Sequence, residues 1–222
     1  MKILIINGSP RKQGVTAQIL HIIEKNILTR DGTEVSYIHI ADLNILPCNG
    51  CCSCYKTGRC YQQDDAEKLS EMIALSDGIV IGSPTYVSNI SGQLKVFLDR
   101  GHFVIEQLLH NKYAIGIVTG ENYGSRAAGR ILSDVLTYSG AKISGKLICN
   151  LPFNSTLCAH TDVQRKACGL ADQLVHDIEY KKQYRIQSII HKILFYGGIK
   201  PFVKKKGDSY AGVVHKWNQL NI

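Results

Sequence analysis

Lys2-Ile3-Leu4-Ile5-Ile6 runs straight into Asn7-Gly8-Ser9-Pro10-Arg11-Lys12-Gln13-Gly14-Val15-Thr16. The aliphatic run has the composition of a strand buried on both faces, as in a parallel sheet. From Thr16 onward, apolar residues recur at Ile19, Leu20, Ile22, Ile23 and Ile27, which is helical spacing. The turn between them carries two glycines, hydroxyls at Ser9 and Thr16, and cations at Arg11 and Lys12. It faces a helix N-terminus, whose unpaired N–H groups and positive dipole end attract anions. A dinucleotide pyrophosphate requires G-x-G-x-x-G and a nucleoside triphosphate a terminal Gly-Lys-Ser/Thr, and neither pattern is present. This donor set suits a compact phosphate monoester, whose oxygens need several donors at once. An ordinary Gly/Pro turn would need neither the hydroxyls nor the Arg.

The 222 residues give one domain, or one domain with an appendage. No run of 18 apolar residues exists, so no transmembrane segment is expected. The apolar N-terminus is too short for a secretory signal. A cytoplasmic location follows, in which the eight cysteines read as ligands, redox groups or core thiols rather than a disulfide framework. Residues 1–180 carry 17 Lys+Arg and 17 Asp+Glu, whereas residues 181–222 carry nine basic residues and one acid, Asp208. The tail thus holds the whole net charge of +8. A neutral body argues against nucleic acid as a partner.

Glu34 to Ile40 reads as a second strand, Gly78 to Gly82 as a third, Tyr113 to Val118 as a fourth and Lys142 to Cys149 as a fifth. Between them lie helical patterns. One starts at Asp64-Asp65 with Leu69, Met72, Ile73 and Leu75 as its buried stripe. A second runs from Ile90 to Leu109 with Leu94, Phe97 and Leu98 inward. Ser125 to Tyr138 and Asp162 to Tyr180 supply two more. Such alternation predicts an α/β, doubly wound parallel sheet, with ligands gathered beyond the carboxyl ends of its strands. Two further loops fall at those ends: Pro84-Thr85-Tyr86-Val87-Ser88 after strand three and Thr119-Gly120-Glu121-Asn122-Tyr123-Gly124 after strand four. Small polar groups, glycine and tyrosines suit a flat polar aromatic ligand. Either alone also reads as a surface loop.

On these three loops the sequence resembles the flavodoxin-like, FMN-binding NAD(P)H oxidoreductases, and most of all their iron–sulfur flavoprotein branch, over residues 1–180. The resemblance implies a five-stranded sheet in the order 2-1-3-4-5. It implies that Ser9, Arg11, Gly14, Val15 and Thr16 hold the FMN phosphate. Pro84, Thr85, Tyr86, Val87 and Ser88 would lie against the isoalloxazine ring, and Thr119, Gly120, Glu121, Asn122, Tyr123 and Gly124 would touch its pyrimidine edge. Gly92 to Arg100 looks like the family's helix after the third strand, with Lys95 and Arg100 as packing or subunit contacts. A homodimer is also implied.

Pro47 to Cys60 places five cysteines in a short run. Cys48, Cys51, Cys54 and Cys60 give C-x2-C-x2-C-x5-C, a spacing that lets the thiolates of one loop converge on a single metal centre; Cys52 is surplus. It matches the compact motif of the iron–sulfur flavoproteins, which implies a [4Fe–4S] cluster near the FMN. Zinc, a redox C-x-x-C pair and cluster-free thiols are the competing readings. Cys149, Cys158 and Cys168 read as core or loop thiols. The histidines His21, His39, His102, His110, His160, His191 and His215 have no pairing that makes a metal site. Asp64 and Asp65 read either as a protonating pair or, more simply, as a helix N-cap.

The tail departs from a minimal flavodoxin-like domain. Ile186, Ile189, Ile190, Ile193 and Leu194 form an apolar helical stripe beside Lys182, Arg185, Lys192 and Lys200. Gly197-Gly198 and Pro201 should end that helix, and Tyr210, Val213, Val214 and Trp217 form a last amphipathic piece. The stripe should dock on its own body or on a partner subunit, with an anionic lipid surface, or attraction of the phosphorylated pyridine nucleotide or an acidic redox partner, as alternatives. Together these features predict an FMN-dependent enzyme passing electrons from NADH or NADPH to a quinone-like or protein acceptor, with flavin rather than side-chain chemistry. The alternatives are a non-enzymatic FMN and iron–sulfur electron carrier and a cysteine-based redox sensor.

Overall fold

In the computed structural model, which describes residues 1–152 and 154–222, the aliphatic runs form β1 (Lys2–Asn7), β2 (Glu34–His39), β3 (Gly78–Pro84), β4 (Tyr113–Gly120) and β5 (Lys142–Asn150). They pair in parallel in the order β2-β1-β3-β4-β5, the flavodoxin-like arrangement. Side chains alternate across a strand, so each run feeds two layers. Ile3, Ile5, Val80, Ile115 and Ile117 meet α1 (Val15–Ile27) and α7 (Thr161–Glu179) on one face. Leu4, Ile6, Ile79, Ile81, Ala114 and Val118 meet α3 (Asp65–Leu75), α4 (Gly92–Arg100), α5 (Phe103–Glu106) and α6 (Ser125–Tyr138) on the other. Crossovers leave β1 toward β2 on one side and β3 on the other, which opens a cleft at their carboxyl ends. Gly8 lies in that opening. Its N–H donates to the Gly82 carbonyl at 2.8 Å, and a Cβ there would sit 2.9 Å from both that oxygen and Leu94. Only glycine permits this approach.

Three local expectations are corrected. The helix expected over Ile90 to Leu109 is two, α4 and α5. Phe103 folds back so that a Cβ on Gly101 would lie 2.4 Å from its ring, and His102 takes a left-handed φ of 51°. Leu75, expected inside, is 74% exposed because it ends α3 beyond the turn that faces the sheet. The second strand stops at His39, and Ile40–Asp42 makes a single 3₁₀ turn.

The tail is corrected too. Gly197-Gly198 and Pro201 do not stop the helix. After α8 (Arg185–Leu194) the chain widens into one π-helical turn, Phe195–Ile199, and continues as α9 (Lys200–Lys206). Pro201 falls in the first turn of α9, and a wide turn before it relieves the ring's usual clash with the preceding helical carbonyl. α10 (Ala211–Leu220) follows. Phe195, Val203, Val213 and Trp217 form a third apolar cluster with Tyr55 and Ile105. That half of the tail docks on its own body. No helix among the described residues is long and apolar enough to cross a membrane.

Candidate functional site

At the carboxyl edge of the sheet, Asn7 Oδ1 accepts the Ser9 N–H at 2.9 Å and Ser9 Oγ accepts the Arg11 N–H at 3.1 Å. These two bonds curl the loop, and Gly14 N–H closes it onto the Arg11 carbonyl at 3.2 Å. Gly14 begins α1 without a side-chain cap. The N–H groups of Val15, Thr16 and Ala17 therefore lack intrahelical partners, and Gly14, Val15 and Thr16 line the opening. Thr16 Oγ1 and Thr119 Oγ1 share a buried hydrogen bond of 2.7 Å, which joins the first loop to the end of β4.

The other two loops are tied to each other. Thr85 N–H donates to the Thr119 carbonyl at 2.7 Å. Thr85 Oγ1 donates to Ser125 Oγ at 3.3 Å, which donates to Asn150 Oδ1 at 2.7 Å, and Asn150 Nδ2 reaches the Asn122 carbonyl at 2.8 Å. Tyr86 and Asn89 exchange backbone hydrogen bonds across a tight turn in which Val87 (φ 49°) and Ser88 (φ 60°) are both left-handed. A β-branched residue at positive φ is strained, and Val87 is also fully exposed. Gly124 (φ 89°) passes so close that its Cβ would lie 2.6 Å from Ser88 Oγ.

One cavity is lined by Ser9, Arg11, Gly14, Val15, Thr16, Pro84, Tyr86, Thr119, Gly120 and Leu151. Nine of these are residues singled out from the sequence; Leu151 is the addition. Of the rest, Thr85 is buried in the chain to Ser125, while Val87, Ser88, Glu121, Asn122 and Tyr123 stand exposed on the rim. Residues without a sequence signal also matter: Asn7 shapes the loop, and Ser125 and Asn150 fix the third one. The fit to FMN is chemical. Uncapped helix N–H groups, a hydroxyl and a guanidinium suit a terminal phosphate, and Tyr86 and Tyr123, exposed at the rim, offer flat faces to an aromatic ring.

The cysteine segment lies beside a different wall. Cys48, Cys51 and Cys52 are exposed, and Cys54 and Cys60 are half-buried. Cys54 sits in the short α2 (Ser53–Thr57), entered through Cys52 at φ 58° and left through Gly58 at φ 79°. His102 Nδ1 pairs with Glu106 Oε1 at 2.8 Å, and Lys216 Nζ reaches Glu106 Oε2 at 2.5 Å. Burial alone would lower the His102 pKa, but hydrogen bonds to Cys54 and Glu106 lift it to about 10. Arg100 faces Cys60 and forks onto Asp64 at 2.6 and 3.0 Å, both side chains only 1% exposed. Asp64 also accepts the Ala66 N–H at 3.0 Å, so it is the N-cap of α3. The buried Arg100 and the half-buried His102 thus face two of the four thiols. Thiolates are soft ligands suited to an iron–sulfur centre, yet among the described residues no three Cys, His, Asp or Glu side chains gather around one metal position.

Comparison with known proteins agrees with this architecture. The family model described as NADPH-dependent FMN reductase matches residues 1–153. An iron–sulfur flavoprotein of Clostridioides difficile is 36% identical over 227 residues, the full length of both chains. An iron–sulfur flavoprotein of Archaeoglobus fulgidus is 43% identical over 100 residues, 45% of this chain and 48% of the other. An NADPH azoreductase of a Bacillus species is 29% identical over 126 residues, 56% and 62% of the two chains. Among solved structures, an apo NADH:FMN oxidoreductase superposes with a TM-score of 0.59 at 21% identity, covering 78% and 87% of the two chains. An archaeal flavodoxin does so at 0.55 and 12% identity, covering 81% and 99%. At these identities the superpositions speak for the fold.

Proposed function

This chain belongs to the NADPH-dependent FMN reductase family, and from that premise we propose how its own residues serve an FMN-dependent NAD(P)H oxidoreductase. Ser9, Arg11 and the first-turn N–H groups of Val15 and Thr16 take the FMN phosphate, with Gly14 keeping the approach open. Pro84, Thr85, Tyr86, Val87 and Ser88 line the ring, and the segment from Thr119 to Gly124 meets its polar edge. When bound, FMN supplies a ring that accepts hydride from a reduced nicotinamide and gives up electrons one or two at a time. The side chains bind, orient and exclude water, and none is assigned as a proton donor. The reading rests on one observation above all: three loops separated in sequence surround one cavity at an uncapped helix N-terminus, joined by the Thr16–Thr119 hydrogen bond.

The proposal extends to the cysteines. Cys48, Cys51, Cys54 and Cys60 would hold a [4Fe–4S] cluster, which would supply one-electron chemistry, and the final acceptor would be a quinone-like molecule or a protein. Support comes from the spacing, from the placement of His102 and Arg100 beside Cys54 and Cys60, and from the relatives named iron–sulfur flavoproteins. Residues 1–180 form the FMN-binding domain and residues 181–222 an extension.

Anaerobic purification followed by an absorbance spectrum, iron and sulfide analysis, and addition of NADH or NADPH tests the whole reading. Yellow protein whose flavin bands bleach rapidly with a reduced nicotinamide is the expected result. Flavin that the nicotinamides leave oxidised would make the chain an electron carrier instead. Protein that takes up no FMN would overturn the site, and iron-free protein with full activity would remove the cluster.

A further inference from the structure

The helix α8 is amphipathic with its apolar side turned outward. Ile186, Ile189, Ile190 and Ile193 are 75%, 57%, 45% and 66% exposed. Its polar side faces the body. Gln187 accepts the Ile143 N–H at 2.7 Å and donates to the Ile143 carbonyl at 3.0 Å, sealing the open edge of β5, where unpaired backbone groups would invite another strand. His191 Nε2 meets Gln107 Oε1 at 2.6 Å. A helix that merely completed a core would be turned the other way.

The apolar face continues beyond α8. Phe195 is buried and anchors the run, while Tyr196 and Phe202 are about half exposed. From Arg185 to Lys206 the chain is helical throughout. This stretch carries Arg185, Lys192, Lys200, Lys204, Lys205 and Lys206 and no Asp or Glu. At 100° per residue, Arg185 and Lys192 flank one border of the isoleucine stripe. A partner must accept both an apolar stripe and an unrelieved positive charge. A second copy of the same face would cover the isoleucines but bring no acidic group to meet the cations, and a polyanion such as nucleic acid would leave the isoleucines in water. An anionic bilayer answers both requirements, with acyl chains under the stripe and headgroup phosphates beside the lysines.

We propose that residues 185–206 seat the protein in the plane of an anionic lipid surface. The proposal is independent of the flavin site. It is tested on the full-length, FMN-loaded protein by co-sedimentation with phosphatidylcholine vesicles, with and without phosphatidylglycerol. Binding should require phosphatidylglycerol, weaken with added salt, and fall roughly tenfold or more in Ile189→Asp/Ile193→Asp. Both side chains are exposed, so the variant should retain FMN uptake and helical content, which are checked first. Replacing Lys204, Lys205 and Lys206 by Gln should remove the preference for the anionic lipid. Absence of binding to phosphatidylglycerol vesicles, or undiminished binding by the isoleucine variant, overturns the proposal. A wild-type dimer that the same variant converts to monomer in ultracentrifugation also overturns it, by giving the face to a second copy.

Discussion

Gly212 of α10 and Gly58 at the end of α2 meet backbone to backbone: a Cβ at 212 would lie 2.1 Å from the Gly58 nitrogen and 2.7 Å from its Cα. The C-terminal helix is therefore pressed directly onto the helix that carries Cys54. Tyr55 stacks on Tyr210 with ring centroids 4.7 Å apart, and Trp217 Nε1 donates to the Ile105 carbonyl at 2.9 Å. The extension reads as a clamp on the cysteine segment. Neither backbone can yield, so Gly212→Val should push the helices apart at a cost of about 1–3 kcal/mol. The expected outcome is faster reaction of Cys54 and Cys60 with a thiol reagent and faster tryptic cleavage at Lys204 to Lys206, with FMN uptake unchanged. Equal rates in variant and wild type would refute the clamp.

The phosphate loop makes a separable prediction. Arg11 is exposed, and its Nη2 donates to Asn154 Oδ1 at 3.1 Å on the surface, so its removal should leave the fold intact. Loss of one charge-assisted contact costs about 1.5–3 kcal/mol, so Arg11→Ala should weaken FMN binding by about 10–150-fold. Riboflavin has the ring but no phosphate, and its affinity should not change. Fluorescence titration with the two flavins measures both. Equal losses would move Arg11 from the phosphate to the ring.

Arg100 was expected to make packing or subunit contacts, and it is the partner of Asp64 in the interior. Burial alone would raise the Asp64 pKa, but hydrogen bonds from Arg100 and from the Leu46 and Ala66 N–H groups outweigh it and hold the carboxyl below its usual range. A carboxylate with a depressed folded pKa contributes stability that is present above its unfolded value, near 3.8, and is lost as pH falls through the folded one. Removing one partner leaves a buried charge uncompensated, so Arg100→Leu should cost about 3–5 kcal/mol. Denaturant midpoints should confirm this. Asp64→Asn should flatten the acid limb of the stability profile, and an unchanged limb would show that another group dominates it.

What could be read from the sequence was what local pattern encodes. The runs at Lys2 to Ile6 and Gly78 to Gly82 have no solvent face, so they specify a doubly covered sheet, and sheet topology then carries their loops to one rim. The break at Gly101-His102 was not legible, because the apolar spacing continues through it and the interruption comes from Phe103 folding back in three dimensions. His102 meets Cys54 across the fold, and no spacing rule links α2 and α5, which both pack against α10. Pro201 misled for a related reason. Its local signal is a helix stop, and a π turn upstream removed the clash on which that signal depends.

The seat of α8 should depend on pH through His110. Among the described residues its buried Nδ1 has no hydrogen-bond partner, and its ring lies 6.1 Å from that of His191 on α8. Burial, with His191 and Lys142 nearby, pushes its pKa down from 6.5 to about 4, and burial also lowers that of His191. The groups these rings meet directly are neutral: Asn111 Nδ2 lies 2.9 Å from His110 Nε2, and Gln107 Oε1 lies 2.6 Å from His191 Nε2. The unfolded chain therefore binds protons that the folded chain refuses, so stability is full above the unfolded pKa of 6.5 and declines as pH falls toward 4. Urea midpoints should drop between about pH 7.5 and pH 5, and tryptic cleavage at Arg185 and Lys192 should quicken over the same interval. In His110→Gln, which cannot take up a proton, the drop should shrink to the share left to His191 and to His39, whose pKa burial also lowers. A variant as acid-sensitive as the wild type would place the titrating group elsewhere.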